Sequence, residues 1–148
     1  MKKKLYSMFA MFGLFLILAA SSAQAQSSDV IKFNVPFDFQ VSGKTLPAGE
    51  YAVKRLSEKV ILIHGVDNKV GVVAQAPGRI QARTSYAKES LVFHQYGNQY
   101  FLSQVWLRRD DDGRELNRSG EERRAAAGET LAMGGEKLRK IEIAAHAR

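Results

Sequence analysis

The sequence predicts a mainly β fold, a small antiparallel β-sandwich or partly closed barrel with one C-terminal helix and a final strand. Three observations carry that prediction. Apolar and polar residues alternate with period two from Ile31, short β-branched or aromatic runs recur between turn residues up to Trp106, and only beyond Trp106 does the composition turn Ala-, Glu- and Arg-rich. At 148 residues, with 45% of them hydrophobic, the chain has material for one domain and one core.

The chain begins with Lys2, Lys3 and Lys4, continues through an apolar run over residues 5–20, and reaches the small residues Ser21-Ser22-Ala23-Gln24-Ala25. This pattern is that of a secretory signal peptide over residues 1–25, leaving 26–148 as a single β-rich domain. The apolar run is shorter than the ~20 residues of a membrane span, so no integral membrane protein is expected after cleavage. With no Cys in the chain, neither lipid attachment at a cysteine nor a disulfide is open to it. The expected location is the periplasm or the exterior. Setting aside the three signal lysines leaves 19 basic against 15 acidic residues, a net charge of +4 spread over mixed charges, which reads as solubility. Export and the lack of a basic block interleaved with aromatics argue against nucleic acid.

Strands are expected over about 30–107. Ile31, Phe33, Val35, Phe37, Phe39 and Val41 form one apolar face, and Pro36, which cannot donate to a ladder, makes this strand an edge, a bulge or two strands. Gly43-Lys44 permits a tight turn. Leu46-Pro47-Ala48-Gly49 turns the chain again, Pro47 fixing φ and Gly49 free to take a positive value, before Tyr51 and Val53 resume the face. Leu46, Pro47, Gly49 and Tyr51 fit a tyrosine corner, in which the hydroxyl bonds upstream backbone, and equally plain core packing with the hydroxyl at the rim. Residues 60–64 and 70–76 should form a hairpin around Asp67-Asn68-Lys69, ending at Pro77-Gly78. Residues 79–88 read as the longest loop, with Arg79, Arg83 and Tyr86 as its chemistry.

A second hairpin is expected from residues 91–96 and 100–107 around Gly97-Asn98-Gln99. It holds Phe93, Tyr96, Tyr100, Phe101 and Trp106, an aromatic set that reads as core rather than a sugar-stacking platform. Residues 108–113 read as a charged turn. Ser119 and Glu122 have capping-box spacing ahead of a helix over about 120–133, which Gly134-Gly135 ends. The alternation of Ile141, Ile143 and Ala145 with Lys140, Glu142 and Ala144 gives a last strand over about 138–145 that would protect a sheet edge.

Several of these strings together, Pro36-Phe37-Asp38-Phe39, Leu46-Pro47-Ala48-Gly49-Glu50-Tyr51, residues 91–102 with Trp106, and Gly113-Arg114-Glu115-Leu116, resemble a group of small exported β-rich proteins found in acidobacterial genomes. The resemblance covers most of the mature chain except residues 125–135. It implies an exported β-rich domain and carries over no activity and no catalytic residue.

No linear motif supplies chemistry. His64, His94 and His146 lie outside any H-E-x-x-H frame, and Asp110, Asp112 and Gly113 fail the EF-hand pattern because its first and twelfth positions would be Arg108 and Ser119. There is no G-x-S-x-G elbow and no phosphate loop, while Asp38, Glu50 and Glu89 have no spacing that pairs them. Asn117-Arg118-Ser119 matches a glycosylation sequon, read as incidental. No cofactor or metal is expected. The expectation is an exported, non-catalytic envelope module binding a protein, glycan or lipid, with His64, His94, Arg79, Arg83, Tyr86, Tyr96 and Tyr100 as candidate surface residues. The alternative is a small metal-dependent or hydrolytic enzyme assembled from dispersed His and carboxylates, which His64 and His94 pointing into one cleft would support.

Overall fold

A computed structural model describes residues 30–81, 88–107, 112–133 and 138–145. The expected signal peptide over 1–25, Arg83, Tyr86 and His146 lie outside the described residues.

The fold is a two-sheet, sandwich-like arrangement that does not close into a barrel. The first sheet has the order β1 (Ile31–Val35), β4 (Gly49–Ser57), β5 (Val60–Gly65), β6 (Gly71–Gln75), all antiparallel. The second runs β11 (Arg139–Ala144), β8 (Ser90–Tyr96), β9 (Gln99–Trp106), β10 (Asp112–Glu115), β7 (Gly78–Gln81). The small hairpin of β2 (Phe39–Val41) and β3 (Lys44–Leu46) joins β9 through one parallel bridge. Helix α1 (Gly120–Met133) and β11 fall where the sequence places them.

Period-two alternation decides which residues become core. Phe33, Val35, Tyr51, Val53, Ile61, Ile63, Val72 and Ala74 line the inner face of the first sheet, and Leu91, Phe93, Leu102 and Val105 that of the second; all are buried. Phe39 joins the layers, its ring edge-on to Tyr51 at 5.0 Å and to Phe93 at 5.3 Å. Burying a large apolar side chain contributes roughly 1.5–3 kcal/mol, so this shared core is the main source of stability in a chain without disulfides.

Pro36 divides the expected first strand into β1 and β2. Their connection carries Phe37, which stacks on Tyr100 at 4.0 Å. The turn after β2 is Ser42-Gly43, both with positive φ, one residue earlier than expected, as a two-residue hairpin with right-handed strand twist requires. The Pro47 turn is a tyrosine corner: the Tyr51 hydroxyl donates to the Pro47 carbonyl at 2.6 Å and accepts from Asn68 Nδ2 at 3.3 Å. Asn68 approaches so closely that a Cβ on Gly65 would lie 1.8 Å from its Oδ1, so the β5–β6 turn and the corner hold each other.

Two expectations are corrected. Arg79 lies in strand β7, not in a loop: β7 pairs with β10 along its length, and ladder bonds replace the periodicity that its polar sequence lacks. The charged turn read over 108–113 is already strand from Asp112, which is buried, as is Gly113. Gly113 is required there because the Trp106 ring lies over it; a Cβ would meet ring carbons at 2.6–2.7 Å.

Candidate functional site

Strand β8 alternates Leu91 and Phe93 into the core with Val92, His94 and Tyr96 onto the outer face of the second sheet. Helix α1 packs over that face. It has no apolar stripe: Glu122 is its one fully buried residue among those described, Ala125, Ala126 and Glu129 are half-buried, and Leu131 is 88% exposed. Docking therefore centres on a carboxylate. His94 Nδ1 donates to Glu122 Oε1 at 2.8 Å with both side chains buried, and Arg118 Nε lies 3.8 Å from Oε1. Burial pushes the Tyr96 pKa up; the Arg118 charge draws it part of the way back, and the Glu122 and Glu129 charges add to the rise.

Ser119 caps the helix as expected, its Oγ accepting from the Glu122 N–H at 3.1 Å. The reciprocal half of the capping box is absent, because the Glu122 side chain turns to His94 instead. His94, expected at the surface, is buried. His64 is exposed, and its neighbour Ile63 fills the core, so it projects from the outer face of the first sheet. The two imidazoles thus point from opposite faces of the sandwich and share no cleft. Among the described residues no cluster of His and carboxylates could hold a metal ion. Asp38 accepts from the Ala48 N–H at 2.8 Å and Glu50 pairs with Lys32 at 3.2 Å.

At the inner end of β10, Arg79 holds Asp112 through Nε and Nη2, and Arg114 faces Arg79 across the ladder. Burial, then the charge of Arg114, lowers the pKa of Arg55. In the aromatic set, Phe93, Phe101 and Tyr96 are buried, while Tyr100 and Trp106 are half-buried, consistent with core rather than platform. Tyr100 accepts from Gln95 Nε2 at 3.4 Å.

The feature that the sequence does not show is the open edge of β6; the strand itself falls within the expected hairpin arm over 70–76. No described strand pairs with its far side. Gly65 N–H bonds the Val70 carbonyl and Ala76 N–H bonds the Lys59 carbonyl, so the even-numbered residues face β5. By alternation Gly71, Val73 and Gln75 direct their N–H and C=O groups to the open side. Val73 is 59% exposed. Beside it runs a groove of about 540 Å³ lined by Ser42, Gly43, Val73, Gln75 and residues 117–121. The other edge strands carry charge: Lys32 on β1, Arg79 on β7, and Arg139, Lys140 and Glu142 on β11; β6, GVVAQ, has none and no proline. The signal was the one uncharged stretch at a sheet edge, unreadable until the strand order was known.

No family model, curated protein or solved structure matches the chain. Among the described residues no helix is long and apolar enough to cross a membrane.

Proposed function

We propose that the protein is exported by residues 1–25, belongs with the small acidobacterial-type exported proteins its motifs resemble, and works in the periplasm or outside the cell as a non-catalytic binding module. Its binding element is the open edge of β6, which takes up an extended polypeptide as an added strand. The carrying observation is that β6 is the one outer edge strand among those described without a charged residue or proline. Folded β proteins ordinarily blunt such edges, because a free ladder recruits another chain. Main-chain bonds to Gly71, Val73 and Gln75 would supply affinity, and the adjoining groove would accommodate the side chains of the added strand.

The test is amide hydrogen exchange of the purified protein with a nonapeptide of alternating Val and Thr. Slowed exchange at Gly71, Val73 and Gln75, with no change at Val72 and Ala74, is the expected result. Unchanged exchange at millimolar peptide, alongside a thermal shift with cell-wall glycan or lipid alone, would overturn the reading.

A further inference from the structure

We infer that the strand added to β6 is β6 of a second copy of this chain, antiparallel, with Val73 on the two-fold axis; the inference rests on the strand-addition reading above. Four observations point to it. First, the outward-facing residues are Gly71, Val73 and Gln75, symmetric about Val73. A two-fold axis there sets Val73 against Val73 of the second copy and Gly71 against its Gln75, and each of these pairs is one that exchanges two ladder bonds. Centring on Val73 engages all three outward residues of the strand; a one-residue shift of the pairing would bring outward groups against inward ones.

Second, side-chain chemistry obeys the same symmetry. Val73 sits directly across from Leu62 on the outer face. Pairing two copies therefore builds a row of Leu62, Val73, Val73 and Leu62 across the joined sheets, and covers a valine that is 59% exposed in the single chain. Third, β6 brings no charge to the axis, so nothing repels a copy of itself, whereas β1, β7 and β11 would each place like charges near their own images. Fourth, an edge meeting its own image is isologous and closed, giving a dimer rather than a fibre. The contact is small, so the dimer dissociates on dilution.

Charge reversal at the axis is the experiment. Sedimentation velocity of the purified protein over a concentration series should show reversible dimerisation. Val73→Lys and Val73→Glu should each weaken it by at least about tenfold, because like charges then meet across the axis. An equimolar mixture of the two should recover the dimer, and high salt should weaken the recovered one. Val73 points to solvent, so circular dichroism of both variants should match the parent. A wild-type dimer unaffected by either substitution, or variants whose mixture stays monomeric, would overturn the inference. A protein monomeric throughout, yet protected at Gly71, Val73 and Gln75 by the Val/Thr nonapeptide, would overturn it while leaving strand addition standing. A monomer without that protection would remove both.

Discussion

Two polar anchors, Tyr51 and Glu122, hold this sandwich in different ways. The Tyr51 hydroxyl reaches back four residues to a neutral backbone carbonyl, while its ring belongs to the core. Glu122 reaches across 28 residues to His94 and is the fully buried side chain by which the helix grips the sheet. The first anchor sharpens a turn that the core would position anyway. The second replaces the apolar stripe that a surface helix normally uses for docking, so an ionisable group fixes a whole element. Because residues 117–121 wall the groove beside β6, that group also sets the shape of the region proposed to bind.

The largest effect is expected at Glu122. Glu122→Ala leaves the His94 N–H buried beneath the helix without its acceptor, and should cost about 3 kcal/mol in urea unfolding. Amide exchange should show α1 losing protection while β4, β5, β8 and β9 keep theirs. Glu122→Gln, which retains an acceptor, should cost about half as much. Equal protection of helix and sheet in Glu122→Ala would mean that the helix is held by something other than this carboxylate.

Tyr51→Phe is expected to be milder. The ring keeps its edge-on contact with Phe39, and only the bonds to Pro47 and Asn68 disappear, so about 1 kcal/mol should be lost without change in the helix. A loss as large as that of Glu122→Ala would show that the corner, with Asn68 and Gly65 leaning on it, organises the β5–β6 turn rather than trimming it.

The same contrast explains what could be read from the sequence. Tyr51 is half legible because its partner lies within the same turn, and Pro47 and Gly49 announce that turn; residue types alone do not say whether the hydroxyl bonds backbone or sits at the rim. The alternations of β1 and β11 show strands, the Gly97 turn shows the β8–β9 hairpin, and Pro36 shows the break, since period two, turn residues and a missing donor are local facts. Glu122 was legible only as a capping-box residue, because its partner is far along the chain and its own helix shows no apolar face. Strand β7 and the start of β10 look like loop and turn in the sequence because their evidence is each other: neither has a pattern until the ladder pairs them. The β6 edge was invisible for a related reason, since an uncharged GVVAQ reads alike in a central strand and at an edge.

The smallest expected effect is on the pH dependence of the anchor centred on Glu122. Burial is the largest cause of the raised Tyr96 pKa, with the Glu122 and Glu129 charges adding to it against the pull of Arg118. A tyrosine in the unfolded chain releases its proton near pH 10. Above that pH the unfolded chain has lost the proton while the folded one keeps it, so stability falls as pH rises, until the folded group titrates as well. Urea midpoints between about pH 9 and 11 should therefore fall more steeply in the wild type than in Tyr96→Phe. Parallel slopes for wild type and Tyr96→Phe would separate Tyr96 from that anchor and leave His94 as the partner that matters.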